Sequence, residues 1–163
     1  MIDEVDAIVE AWRRERPDLD VEPLQVLSRV ARLAAVLDER RSSAFVEHGL
    51  QAHEFDVLSV LRRSGAPFEL TAGELAALTH VTSGTMTSRV DRLSARDLVS
   101  RHQDPSDGRL VRVRLTGAGR ERVDAAFSAL LSGERELLAT LVSTERGELA
   151  AALRALLIAA EPS

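Results

Sequence analysis

The stretch Ser83-Gly84-Thr85-Met86-Thr87-Ser88-Arg89-Val90-Asp91-Arg92-Leu93 mixes hydroxyls and guanidinium groups with apolar residues at helical spacing. With Met86, Val90 and Leu93 turned inward, Ser83, Thr85, Thr87, Ser88 and Arg92 lie on the outward side. Short hydroxyls exchange hydrogen bonds with phosphate oxygens and base edges, and a guanidinium forks onto phosphate or guanine. Farther along, Asp104-Pro105-Ser106-Asp107-Gly108 has the composition of a turn. Arg109 follows it, a cation suited to the negative potential of a narrow minor groove. These groups suit nucleic-acid recognition.

Other chemistries find little support. The 163-residue chain has no cysteine, which excludes disulfides, thiolate catalysis and cysteine-ligated zinc. It shows no Gly-rich phosphate loop and no nucleophile elbow. Asp104 and Asp107 resemble an acid pair, but the turn explains them. The chain therefore reads as a non-enzyme that needs no cofactor and holds no assigned metal site. His48, His53, His80 and His102, with Glu47 or Glu54, keep a zinc-sensing alternative open, although no pair has a tight spacing such as His-x3-His.

The net charge of −5 argues against a nucleic-acid binder until its distribution is considered. Residues 1–79 carry 9 Arg against 15 acids, residues 80–122 carry 9 Arg against 5, and residues 123–163 carry 3 Arg against 6. All 21 basic residues are arginine, the better side chain for bidentate contacts. A basic centre between acidic ends is the footprint of a DNA-binding module.

The elements that must position these groups follow from periodicity and capping. A short amphipathic helix is predicted at 3–14, with Val5, Ile8, Val9 and Trp12 on one face, ended by Arg16-Pro17. Further helices are expected at 22–48, with Pro23 in the first turn and Gly49 as its stop, and at 52–63. Thr71-x-x-Glu74 is a capping box opening a helix over 72–79. A tight connection at His80-Val81-Thr82-Ser83 leads to the helix at 83–96. Two short helices so joined form a helix-turn-helix. The period then changes to two. Strands at Leu98–Arg101 and Leu110–Leu115 form a β-hairpin whose arginines line the exposed side. Long helices at 117–141 and 144–160 follow, the last entered by a second box, Ser143-Thr144-Glu145-Arg146. Their many leucines exceed what a module of about 60 residues can cover, which implies a second chain and a two-fold homodimer.

These motifs resemble the MarR family of bacterial transcriptional regulators over nearly the whole chain from about residue 24. Leu70-Thr71-x-x-Glu74-Leu75-Ala76 is similar to the start of the family's helix-turn-helix. Thr87-Ser88-Arg89-Val90-Asp91-Arg92-Leu93 is similar to its recognition helix. Asp104–Arg109 is similar to its wing and Leu115-Thr116-x-x-Gly119-Arg120 to the wing's exit. Gly108 stands where many members carry Arg, so one wing charge is missing. The resemblance implies an obligate homodimer that acts as a repressor released by a small molecule.

A narrower resemblance is to the family's urate-responsive branch. It implies an effector site of Trp12 in an extra N-terminal helix, Asp56, Arg89 and Arg101. The chemistry suits urate, a flat anion that an indole face can stack on and a guanidinium can pair with. Arg89 lies on the recognition helix, so a ligand drawing on it shifts that helix against DNA.

The expected fold is mainly α with a small β-hairpin wing. Residues 1–21 form an extra helix and connector, 22–50 and 117–163 a helical dimerisation region, and 51–116 a winged helix-turn-helix. The expected function is a homodimeric repressor of double-stranded DNA, released by a small anionic effector. Other aromatic or carboxylate ligands, and zinc, stay open as alternatives. No membrane partner is expected, because no apolar run approaches about 20 residues, and the expected location is the cytoplasm.

Overall fold

The structure, a computed structural model, describes residues 2–161; residues 1, 162 and 163, the outer ends of the two flanking regions read from the sequence, lie outside that description. Seven helices and three strands follow in the order α1 (Glu4–Glu15), α2 (Glu22–Glu47), α3 (Ala52–Arg63), β1 (Glu69–Thr71), α4 (Ala72–Leu78), α5 (Ser83–Ala95), β2 (Val99–Gln103), β3 (Val111–Leu115), α6 (Gly117–Leu138) and α7 (Ser143–Ala160). None of these helices is long and apolar enough to cross a membrane.

Helices α1, α4, α5 and α6 begin where a short polar side chain accepts from backbone amides. Asp3 accepts from the Val5 and Asp6 amides and starts α1. Val5 and Val9 bury that helix against α2 beside Val21 and Leu24. Arg29 on α2 bridges Asp3 and Asp6, and Arg32 reaches Glu4. The Thr71–Glu74 box closes from both sides, with the Glu74 amide on Thr71 Oγ1 at 3.2 Å and the Thr71 amide on Glu74 Oε2 at 2.7 Å. The second predicted box forms only by half. Val142 is the cap residue and Ser143 already lies in the first turn of α7, while Glu145 accepts from the Val142 amide at 2.9 Å.

The sheet has three strands in the order β1-β3-β2, all antiparallel. The hairpin is as the sequence predicts, but β1 is an addition. Glu69 pairs with Arg114, Leu70 with Val113 and Thr71 with Arg112. Three residues are too few to show an alternating pattern, and Thr71 also caps α4. One main core joins α3, α4, α5, the sheet and α6, around Leu58, Leu61, Leu75, Met86, Leu93 and Val113, each fully buried. Gly119 lets α6 start against β2: a Cβ there would lie 2.0 Å from the Leu98 carbonyl oxygen.

By contrast, α7 buries none of its residues, although Leu149, Leu156, Leu157 and Ile158 line it. The α2 face carrying Val26, Leu27, Val30, Leu33 and Val36 is similarly exposed.

Candidate nucleic-acid interface

Two backbone residues in the left-handed region end the paired helices. His80, at φ 53°, turns the chain after α4, and the Val81 amide closes on the Ala76 carbonyl at 3.0 Å. Thr82 then caps α5, its hydroxyl accepting from the Thr85 amide. Asp97, at φ 54°, ends α5, and the Leu98 amide returns to the Leu93 carbonyl. The helix is thereby held at both ends on the core formed by its own Met86, Val90 and Leu93.

Ser83, Thr85, Thr87, Ser88 and Arg92 are all exposed on α5, and Arg89 is half-buried at the flank. The hydroxyls are not equivalent. Thr87 Oγ1 donates to the Ser83 carbonyl at 3.0 Å, which leaves its lone pairs and methyl group to face outward. Thr85 shares a hydrogen bond with Thr82. Among the described residues, the Ser83 and Ser88 hydroxyls have no protein partner and can donate or accept. The face can therefore offer donors, acceptors and a methyl contact to base edges and phosphates.

The wing is organised by carboxylates. Asp104 is buried and accepts from the Ser106 amide and hydroxyl, the Asp107 amide and Arg112 Nε. The bonds from Ser106, Arg112 and Asp107 hold its carboxyl far below the usual carboxylate range, against the opposing effect of desolvation. Glu69, nearly buried, accepts from Arg114 at 2.7 Å and lies 3.5 Å from Arg112 and 3.3 Å from His102. The strand arginines expected to present charge are therefore neutralised across the sheet. Arg109 differs: its amide is held by Asp107 at 3.0 Å, and its exposed guanidinium has no carboxylate partner among the described residues.

The residues expected at the effector site fall into separate groups within this one chain. Asp56, on the first turns of α3, and Arg89 on α5 feel each other's charge, yet they form no ion pair or hydrogen bond with each other. Desolvation by the surrounding protein raises the Asp56 carboxyl above its ordinary value, opposed by Arg89, His53 and Arg41. Arg101 on β2 is instead tied to Asp91. Arg89 and Asp91 lie about 200° apart around α5, so Arg101 stands on the opposite flank from Arg89. Trp12 is half-exposed on α1, which packs on α2.

Sequence reasoning missed a cleft of about 450 Å³ between α2, α3 and α6. Phe55 and Phe127, with ring centroids 6.5 Å apart, form its aromatic side, and Arg41, Arg62 and Asp124 contribute polar groups. Arg62 and Asp124 pair at 2.8 Å. Phe55 and Phe127 lie 72 positions apart on different helices, so nothing local in the sequence shows that their rings meet. Among the described residues, no three His, Asp or Glu side chains are grouped to hold a metal ion.

Comparison with known proteins places this geometry. Residues 48–110 match the model of the MarR family. The chain is 35% identical over 150 residues to the HTH-type transcriptional regulator PecS of Dickeya dadantii, covering 92% of this chain and 90% of that protein. Among solved structures, the MarR family regulator Sco5413 of Streptomyces coelicolor superimposes with a TM-score of 0.69 at 26% identity, over 86% of this chain and 96% of that one. A mutant of Escherichia coli MarR complexed with operator DNA superimposes with a TM-score of 0.68 at 25% identity, over 85% and 99%.

Proposed function

Because the chain belongs to the MarR family of DNA-binding transcriptional regulators, we propose that it is a homodimeric repressor of a pseudo-palindromic operator, released by a small anionic effector such as urate or a related purine. Its place of work is the cytoplasm, with the chromosome. In this reading residues 51–116 form the DNA-binding lobe, residues 22–50 and 117–163 the dimerisation region, and residues 1–21 an added helix. Ser83, Thr85, Thr87, Ser88 and Arg92 face the major groove, and Arg109 contacts the adjacent minor groove or backbone. The unpartnered apolar faces of α2 and α7 support the dimer. A two-fold pair presents two copies of α5 about one DNA turn, roughly 34 Å, apart.

The observation that carries the effector reading is the open pair Asp56–Arg89. A carboxylate and a guanidinium near enough to feel each other's charge, yet not bonded, can accept a ligand bearing both N–H donors and carbonyl or anionic oxygens. Because Arg89 belongs to α5, engaging it favours one pose of that helix over another, which is the differential contact that coupling requires. In this reading Trp12 supplies a stacking face and Arg101, once released from Asp91, a second cation.

A second reading has its own observation. The aromatic cleft between α2, α3 and α6 suits a different aromatic or carboxylate ligand. One experiment separates the two. Urate is titrated while following the emission of Trp12, the only tryptophan, with free tryptophan correcting for absorbance. Release of a labelled DNA duplex is followed in parallel. Saturable quenching with a matching release midpoint supports the urate site. Quenching identical to that of free tryptophan, without release, overturns it. Release by an aromatic carboxylate that Phe127→Ala abolishes favours the cleft.

A further inference from the structure

The start of α3 meets the C-terminal end of α5. Arg89 and Arg96 are seven residues apart, so they lie on one stripe of the helix, roughly 10 Å apart along its axis. Asp56 lies near enough to the first for its charge to be felt, without a bond between them, and Glu54 grips the second. Arg96 Nη1 donates to both Glu54 carboxylate oxygens at 2.8 Å, and its Nη2 donates to the Gly49 carbonyl. Glu54 is 5% exposed and accepts the Gln51 amide at 2.9 Å, so it is itself fixed at the start of α3. Gly49, at φ +67°, ends α2 beside Arg122, whose guanidinium caps the His48 carbonyl at 3.2 Å. The C-terminal end of α5 is thereby fastened to the α2–α3 corner through a buried carboxylate, whereas its other end, where the exposed polar face begins, is capped by Thr82 and packed on α4 with no ion pair among the described residues.

We infer that Glu54 and Arg96 are positioning residues: their pair is the fixed point that sets the pose of α5 against DNA and about which that helix pivots. Ser83 lies roughly 20 Å from Arg96 along the helix. A tilt of about 5° at the pair displaces the Ser83 end by close to 2 Å, several times the tolerance of about 0.5 Å within which a recognition group must be held. Loosening the pair therefore degrades base readout while leaving the phosphate-facing charge in place.

This rests on the reading of α5 as the recognition helix, and the test separates the two. A preferred duplex is selected from random-sequence DNA with the unaltered protein, and a scrambled duplex of equal length serves as non-specific DNA. Affinities for both are measured for Arg96→Lys, Arg96→Ala, Glu54→Gln and Arg92→Ala, well below each variant's unfolding temperature. The expected result is a loss of about tenfold in the ratio of selected to scrambled binding for Arg96→Lys and for Glu54→Gln, with no further loss in the double variant. The salt dependence of scrambled binding stays unchanged. A ratio within twofold of the unaltered protein for Arg96→Lys and Arg96→Ala overturns the inference, as do additive losses. A salt slope lowered by about one makes Arg96 a phosphate contact instead and also overturns it. If Arg92→Ala is silent, the recognition-helix reading itself fails and the inference falls with it. If Arg92→Ala weakens selected binding while the Arg96 variants are silent, only the inference falls.

Discussion

Arg101 in the first wing strand is bonded to Asp91 on α5, so the wing and the helix it flanks are joined by one ion pair. Both side chains are more than a third exposed, and such pairs contribute about 0–1 kcal/mol. The tether is weak enough for a ligand to displace. Asp91→Asn should release Arg101 and tighten the proposed effector up to about fivefold, as read by Trp12 emission. Arg101→Ala should weaken the effector response while operator affinity falls less than threefold. An effector response unchanged in both variants removes Arg101 from the site.

Asp56 leads to a prediction with a pH signature. Desolvation holds its carboxyl above the ordinary value, so the folded protein binds its proton more readily than the unfolded chain. The charged form therefore costs stability above the folded value, and the cost is relieved as pH falls below the ordinary value of about 3.9. Asp56→Asn should unfold at a slightly higher temperature than the unaltered protein at pH 7, and the two should converge in acid. The same variant should blunt the effector response at least tenfold while sparing DNA affinity. A urate dose-response that does not move would take Asp56 out of the site.

Asp104 gives the opposite sign. Its hydrogen bonds from Ser106, Arg112 and Asp107 hold it far below the ordinary value, so its contribution is complete above about pH 4 and is lost as pH falls further. Asp104→Ala should lower the melting temperature at neutral pH, with the gap closing in acid. The wing should lose its shape, and DNA affinity should fall about tenfold. Arg109→Ala should weaken binding to all duplexes alike and lower the salt slope by about one. Arg114→Ala should change the slope far less, because Glu69 already neutralises that charge. A loss confined to one operator variant would show that Arg109 reads bases.

These differences show what local sequence can reveal. The outward face of α5 was legible because Met86, Val90 and Leu93 mark the helical period and the remaining hydroxyls must face the other way. The Thr71–Glu74 box and the turn at Asp104–Gly108 were legible because their partners lie within a few residues. The state of the wing charges was not: Glu69 meets Arg112 and Arg114 from 43 and 45 residues away, through a strand of only three residues. Glu54 and Arg96 meet across 42 residues. Each could be recognised as a charged residue, but only the fold decides which charges cancel and which remain available to DNA.

The apolar faces of α2 and α7 lead to the most direct test of assembly. An 18-residue helix that fully buries none of its residues within its own chain leaves much of Leu156 and most of Leu157 uncovered in one protomer. Covering a leucine completely contributes about 1.5–3 kcal/mol. In a two-fold dimer every substitution occurs twice, so Leu157→Glu should cost at least about 3 kcal/mol of association, a factor of more than 100 in the dimer dissociation constant. Sedimentation at micromolar protein should show a dimer for the unaltered chain and a monomer for Leu157→Glu. The core of α3–α6 lies elsewhere, so helical circular dichroism should persist for that lobe. Operator affinity should fall at least as steeply, because a monomer brings one α5 to a two-half-site target. If Leu157→Glu still sediments as a dimer, α7 does not form the interface. If the unaltered chain is a monomer, the two-fold reading itself fails.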